Sequence, residues 1–149
     1  MTPPKNILVA TDFSEAANIA LEHAMDIARS SGAKLIVVHA YEIPVYPYPD
    51  AFVPTPPGLA SQIEEAARKA LHDLCNRQAA RGVSIEPVLC EGRAWREIQR
   101  VADERNVDLI VIGTHGRTGV ARVMLGSVAE KVVRTSTHPV LVVPSKTTQ

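Results

Sequence analysis

The chain has 149 residues, the length of a single domain, and a globular fold of this size buries roughly 68–70% of the surface that the unfolded chain exposes. Sixteen Lys and Arg residues balance sixteen Asp and Glu residues, so the formal net charge is zero. A neutral chain argues against a dedicated binder of nucleic acid or of an anionic membrane surface, which would carry a basic stripe. No apolar run approaches the ~20 residues of a membrane-spanning helix.

The start of the chain and its cysteines indicate the compartment. The apolar run after Asn6 is too short for the apolar region of a signal peptide. Cys75 and Cys90 fit no metal-binding or redox spacing, so we interpret them as small buried residues. We therefore expect a cytoplasmic protein.

Short strand-like runs alternate with longer segments of helical periodicity, which is typical of βαβ units and a parallel sheet. Five strands are predicted, at Ile7–Ala10, Leu35–Ala40, Val83–Cys90, Asp108–Gly113 and Val140–Val143. The first helix has apolar positions Ala17, Ala20, Leu21, Ala24 and Ala28 and ends at Gly32. The second begins at Ser61 with the capping box Ser61–Glu64 and ends at Gly82. The third runs from about Ala94 to Arg105, and the fourth carries Leu125, Val128, Ala129, Val132 and Val133.

The position of Pro87 indicates the order of these strands within the sheet. A proline cannot donate a ladder hydrogen bond, so the predicted third strand belongs at an edge. The order 2-1-3-4-5 would make that strand internal, whereas 3-2-1-4-5 puts the third and fifth strands at opposite edges. We therefore predict a single-domain α/β fold, a doubly wound five-stranded parallel sheet in the order 3-2-1-4-5 with helices on both faces. The crevice of such a sheet lies between strands one and four, at their carboxyl ends.

A proline-rich loop, residues 44–58, separates the second strand from the second helix. It has six prolines between Pro44 and Pro57, which favours extended backbone and no regular element. Such a loop is either a connector or a functional segment, which would be a lid or a surface that docks a partner.

The two segments that border the predicted crevice carry phosphate-binding features. Ala10–Ser14 follows the first strand, and the glycine-bearing segment Gly113–Gly119 follows the fourth. Gly113 and Gly116 allow backbone amides to approach an anion, and Arg117 and Arg122 add positive charge. Gly126 and Ser127 open the fourth helix, whose free amides and dipole favour phosphate.

Each feature also has a plainer interpretation. Ser127 and Glu130 form a capping box, so Ser127 is open to a purely structural role. The cap of the first helix could be Asp12, Thr11 or Ser14. His115 could be an ordinary loop residue with no role in binding. The chain has no dinucleotide fingerprint, no P-loop, no nucleophile elbow, no metal-ligand spacing and no triad spacing.

Together these segments resemble the nucleotide-binding subclass of the universal stress protein family. The resemblance covers nearly the whole chain. It is carried by Ile7–Ser14, Leu35–Ala40, Gly113–Arg117, Leu125–Ser127 and His138–Val143, in which Gly113, Gly116, Gly126 and Ser127 complete a G-x2-G-x9-G-S signature.

The resemblance implies ATP, with Mg²⁺, as the ligand. It implies that Asp12 contacts the ribose or adenine and that the backbone at Ala40 meets the adenine. The ribose and phosphates are expected on Gly113, His115, Gly116, Arg117, Gly126 and Ser127. The adjoining residues Ala10, Thr11, Thr114 and Val128 complete the expected site.

We interpret the chain, residues 1–149 with a tail at 145–149, as a nucleotide-dependent stress-response or signalling module. Slow ATP hydrolysis or phosphotransfer on the same site is the alternative. The uncharged edge strand Val140–Val143 and the resemblance both predict a homodimer, and a proline at Leu141 is expected to weaken it. We expect neither nucleic acid nor membrane as a partner, and the sequence names no downstream protein partner.

Overall fold

The computed structural model describes residues 2–45, 47–48, 51–52, 55–115 and 125–145. The strands are β1 Asn6–Ala10, β2 Lys34–Tyr41, β3 Pro47–Tyr48, β4 Ala51–Phe52, β5 Ile85–Glu91, β6 Leu109–Gly113 and β7 Val140–Val143. The helices are α1 Glu15–Ser31, α2 Leu59–Gln78, α3 Ala94–Glu104 and α4 Ser127–Thr135, with a 3₁₀ turn at Ala79–Arg81.

One parallel sheet organises the molecule, in the order β5-β2-β1-β6-β7. Counting its five strands along the chain gives 3-2-1-4-5, so the predicted fold class and strand order are confirmed. Pro87 lies in β5, at the sheet edge, opposite Val37 of β2. The missing amide of a proline is tolerated at this position because one side of an edge strand needs no ladder partner.

Successive side chains of a strand point to opposite faces of the sheet, so the core is divided into two clusters, one on each face. Ile7 and Val9 pack toward α1 and α2, whereas Leu8 packs toward α3 and α4. All three side chains are fully buried. Cys75 and Cys90 are buried free thiols, as predicted. Strands covered on both faces explain why the sequence shows continuous apolar runs here.

The predicted start of the second helix is wrong. The helix begins at Leu59 after Gly58, which adopts a φ of 85°, and no side chain caps it. Gly58 turns the chain directly after Pro57, so the helix is already formed at Ser61, and Ser61–Glu64 is not a capping box. Gly82, with a φ of 77°, ends the 3₁₀ turn that follows α2.

The proline-rich loop also departs from expectation. Pro47–Tyr48 pairs antiparallel with Ala51–Phe52, so the segment does contain a regular element. A ladder of two residues requires few amide donors, and a proline is tolerated at the first position of a strand.

The predicted apolar face of the fourth helix is partly wrong. Leu125 precedes α4, and Val133 is 46% exposed. Ala129 and Val132 are the buried residues of this helix, so its core-facing stripe is narrower than the sequence suggested.

The hydrogen bonds of β7 show which of its groups face the free edge. The carbonyl oxygens of Pro139 and Val143 accept from Ile110 N at 2.9 Å and from Thr114 N at 3.0 Å. Hydrogen bonding alternates along a strand, so Leu141 also faces β6 and the amide of Val142 faces outward. A proline at Leu141 would therefore break the internal ladder between β6 and β7 and not a bond at the outer edge, so Val142 is the better position to test pairing, and the homodimer itself stays a prediction.

Candidate functional site

A cavity of about 270 Å³ lies at the carboxyl ends of β1 and β6, between the first turns of α3 and α4. Its described lining is Ala10, Thr11, Asp12, Ala17, Val38, Ala40, Ala94, Ile98, Ile112, Gly113, Thr114, His115, Gly126, Ser127, Val128 and Ala129. Every site residue predicted from the sequence lies in this lining except Gly116 and Arg117, which fall outside the described residues together with Gly119 and Arg122.

Three hydrogen bonds from backbone amides to side chains two or three residues earlier stabilise the turn from β1 to α1. Thr11 Oγ1 accepts from Phe13 N at 3.0 Å, and Asp12 Oδ1 accepts from Ser14 N at 3.0 Å. Ser14 Oγ accepts from Ala17 N at 3.2 Å, so Ser14 is the cap of α1 among the three candidates. Phe13 adopts a left-handed φ of 65°, which these bonds stabilise. The turn therefore presents Asp12 to the cavity from a constrained backbone.

His39 supports this turn from β2, a role that sequence reasoning missed. Its Nδ1 lies 2.8 Å from the carbonyl oxygen of Thr11, which can only accept, so Nδ1 donates. The imidazole also packs on Phe13, with ring centroids 4.4 Å apart. The signal in the sequence was a histidine in an otherwise apolar strand.

Thr114 joins three elements at the floor of the cavity. Its amide donates to Val143 O at 3.0 Å, and its carbonyl oxygen accepts from Gly126 N at 2.6 Å. Its hydroxyl lies 2.9 Å from His115 Nδ1. The other ring nitrogen of His115, Nε2, is buried and has no hydrogen-bond partner among the described residues. A buried polar atom without a partner is costly in a folded protein, so a ligand that hydrogen-bonds to this nitrogen would relieve that cost.

Gly113 has a packing reason to be glycine that the sequence did not reveal. A Cβ built at this position would lie 2.9 Å from the carbonyl oxygen of Ala16. Because that oxygen belongs to the first turn of α1, a side chain at Gly113 would push the helix away from β6. This glycine therefore lets α1 pack closely against the sheet beside the cavity.

The start of α4 faces the cavity without a side-chain cap. Gly126 is the N-cap residue and Ser127 is the first helical residue, so the capping-box interpretation of Ser127 and Glu130 is wrong. Gly126 has no side chain to accept from the first-turn amides, which have no acceptor within their own helix. Ser127, Val128 and Ala129 line the cavity at this helix end. Such an end favours an anion through its amides and its dipole.

The opposite wall of the cavity is apolar, and sequence reasoning missed most of it. It is formed by Val38, Ala94, Ile98 and Ile112. These residues belong to β2, α3 and β6, which are distant in sequence and carry no motif. The cavity thus combines an apolar slot with a polar, amide-lined end, the usual composition of a small-molecule site.

Metal sites and membrane-spanning helices are absent from the part of the chain that the structure describes. Within the described ranges, no group of three or more His, Cys, Asp or Glu side chains could hold a metal ion. No helix in this part of the chain is long and apolar enough to cross a membrane.

Comparison with known proteins relates the chain to one family. Residues 3–144 match the sequence model of the universal stress protein family. The universal stress protein MJ0531 of Methanocaldococcus jannaschii is 35% identical over 144 residues, spanning 93% of this chain and 81% of that protein.

Solved structures agree with that match. A universal stress protein family member from Burkholderia pseudomallei is 32% identical, with a TM-score of 0.74 over 95% of this chain and 96% of its own. A universal stress protein in complex with cAMP is 28% identical, with a TM-score of 0.71 over 95% of this chain and 97% of its own.

Proposed function

Because this chain belongs to the universal stress protein family, we propose that its cavity binds an adenine nucleotide, with ATP as the principal ligand. The chain then acts as a nucleotide-dependent stress-response or signalling module. The proposal rests on one observation. A single cavity at the switch point of the sheet is lined both by the uncapped N-terminus of α4 and by the apolar slot.

The phosphate end of the proposed site is the first turn of α4. The amides of Ser127 and Val128 are expected to donate to phosphate oxygens, and the Ser127 hydroxyl adds a further donor. His115 Nε2, buried beside this helix end, is a candidate partner for another oxygen. Gly116 and Arg117 are proposed contacts on the signature alone, since they lie outside the described residues.

The base end of the proposed site is the apolar slot. The adenine would lie between the backbone at Ala40 and the side chains of Ala94 and Ile98. Asp12, held at the cavity by the turn after β1, is the proposed partner of the ribose or adenine. The related structure in complex with cAMP supports an adenine ligand for this family member.

A Mg²⁺ ion would accompany the phosphates and is not expected to have a protein cage of its own. Asp12 is the one carboxylate in the described lining of the cavity, and its Oδ1 already accepts from Ser14 N. An arrangement with one carboxylate supports binding more than rapid turnover, because hydrolysis needs a base or a held metal beside the attacking water.

We also propose that two copies pair through β7. This strand is an edge of the sheet, and the side chain of Leu141 is 37% exposed. The amide of Val142 points away from β6, so a second copy that pairs with this strand across a two-fold axis would cover both edges.

Native mass spectrometry tests the proposed ligand. The protein with added ATP and Mg²⁺ should carry one nucleotide per chain at charge states typical of a folded protein. GTP at the same concentration serves as the matched control and should bind less. The absence of any nucleotide adduct with ATP at millimolar concentration would contradict the proposal.

A further inference from the structure

Helices α3 and α4 lie side by side on one face of the sheet, and an aromatic ring and two cations meet at the surface of their contact. Gln99 Nε2 donates to Thr135 Oγ1, and four residues earlier on each helix Lys131 Nζ lies 5.6 Å from the centroid of the Trp95 ring. Arg96 Cζ lies 5.1 Å from the same centroid. Arg96 is exposed, and Trp95 and Lys131 are half-buried. We call Trp95, Arg96 and Lys131 the seam cluster; none of them belongs to the described lining of the cavity.

The positive charge of the seam cluster has no counter-charge in the described part of the chain. Neither Arg96 nor Lys131 forms an ion pair there, whereas every carboxylate of α3 and α4 already pairs with another basic side chain, namely Glu97, Asp103, Glu104 and Glu130. A cation that rests on an aromatic ring at a partly exposed site gains little free energy. Both cations are therefore available to an anion that reaches the surface.

The position of Arg96 in α3 works against the stability of the helix. Arg93 is the N-cap residue and Arg96 lies in the first turn, where the partial positive charge of the helix end disfavours a cation. None of the residues three or four positions from Arg96 is acidic, and two of them, Arg93 and Arg100, are basic. Positions that break such a local rule are typical of functional sites.

The aromatic member of the seam cluster is of a type that anchors protein interfaces. Trp95 is the single tryptophan of the chain, and it packs at the margin of a core cluster between two helices. Its Nε1 is buried and has no hydrogen-bond partner among the described residues, so no hydrogen bond of the indole fixes the ring there. Tryptophan and arginine are enriched among the residues that contribute most of the binding energy at protein interfaces.

The chemistry of the seam cluster fits carboxylates that one peptide segment presents. Its two cations lie against the same ring, so neighbouring acidic side chains of a single segment can reach both. Two uncompensated charges are far fewer than the roughly 6–10 phosphate contacts of a strong nucleic-acid binder, and the chain as a whole is neutral. An acidic peptide therefore matches this surface better than a nucleic acid does.

We propose that the seam cluster docks an acidic segment of a partner protein. The guanidinium of Arg96 and the ammonium of Lys131 pair with two carboxylates of that segment, and the accessible part of the Trp95 ring packs against it. This site is separate from the proposed nucleotide cavity and does not require a bound nucleotide.

Fluorescence anisotropy with a short, labelled peptide of alternating glutamate and serine tests the proposal in the absence of nucleotide. The unaltered chain should bind this peptide and should not bind the same peptide with glutamine in place of glutamate. Arg96→Met and Lys131→Met should each weaken binding about fivefold, the effect of losing one partly exposed ion pair. Binding should also weaken at high ionic strength, because the seam cluster is open to screening ions.

Arg77→Met is the matched control for the loss of one positive charge. Arg77 is exposed in the last turn of α2, on a helix that packs against the other face of the sheet, so its replacement should leave peptide affinity unchanged. Unlabelled peptide should change the emission of Trp95 as the cations leave its ring, which peptide bound elsewhere would not do.

Arg96→Glu separates the proposed role from a structural one. It places an acidic side chain in the first turn of α3 between Arg93 and Arg100, so the urea midpoint should rise while peptide binding is lost. A fall in stability with peptide binding retained would overturn the proposal.

Two further results would also overturn the proposal. The first is the absence of peptide binding by the unaltered chain, or equal affinities of Arg77→Met and both methionine variants of the seam cluster. The second is tighter binding of a DNA oligonucleotide than of the acidic peptide at the same ionic strength, which would assign the cations to nucleic acid. Neither result bears on the nucleotide cavity, because ATP binding is measured separately and without peptide.

Discussion

Replacing Ser127 with alanine separates a structural role of this hydroxyl from a ligand-binding role. Ser127 is the first residue of α4, behind the N-cap residue Gly126, and no side-chain hydrogen bond caps the helix. The hydroxyl therefore has no capping interaction to lose. If it contacts phosphate, its removal should reduce affinity with little effect on folding.

The expected magnitudes differ enough to be measured. A substitution away from caps and core usually changes the free energy of unfolding by less than about 0.5 kcal/mol. A hydrogen bond to a charged group is worth roughly 1.5–3 kcal/mol, so ATP affinity should fall about tenfold or more. Urea unfolding gives the first quantity and titration calorimetry gives the second, on the same preparation.

Ser14→Ala is the control for a true cap. Its Oγ accepts from Ala17 N at 3.2 Å at the start of α1, and loss of such a cap typically costs ~1 kcal/mol of stability. A Ser127→Ala variant that loses as much stability as Ser14→Ala, with ATP affinity unchanged, would refute the assignment of Ser127 to the phosphate end.

Further predictions concern packing, assembly and pH. Gly113→Ala should lower the free energy of unfolding by about 1–3 kcal/mol, measured in urea, because its Cβ would meet Ala16 O at 2.9 Å; an unchanged midpoint would show that α1 shifts freely. Val142→Pro should yield monomers in light scattering with ATP binding retained, whereas a dimer of unchanged strength would exclude the outer edge of β7. Backbone hydrogen bonds from Asn6 and Lys5 lower the pKa of Asp108, so its stabilising contribution is present above its unfolded pKa of about 4 and is lost as the pH falls through the lower folded value. Asp108→Asn should therefore flatten the acid side of the stability–pH profile, and an unchanged profile would contradict this.

The sheet could be predicted because its determinants are local in the sequence. Continuous apolar runs mark strands covered on both faces, and Pro87 alone places its strand at an edge. The polar half of the cavity followed for the same reason, since the segments after β1 and β6 must meet at the switch point of this strand order.

What could not be predicted depends on backbone geometry and on contacts between distant segments. Ser61 and Ser127 both match a capping box, yet a glycine before the helix, Gly58 or Gly126, is the N-cap residue in each case. The support of the β1–α1 turn by His39 joins residues of different strands, so no spacing reveals it. The apolar slot is likewise assembled from β2, α3 and β6.

Titration calorimetry with ATP and Mg²⁺ on the unaltered chain and on Gly126→Val tests the nucleotide site most directly. Gly126 has an ordinary φ of −58°, so valine is compatible with the backbone, while its branched side chain would stand at the phosphate end of the cavity. We predict saturable binding of one ATP per chain, and stabilisation by about 2.7 kcal/mol at a hundred times the dissociation constant. Gly126→Val should remain folded and should lose the binding. No heat of binding to the unaltered chain at millimolar ATP, or equal binding to both chains, would contradict the assignment of this cavity.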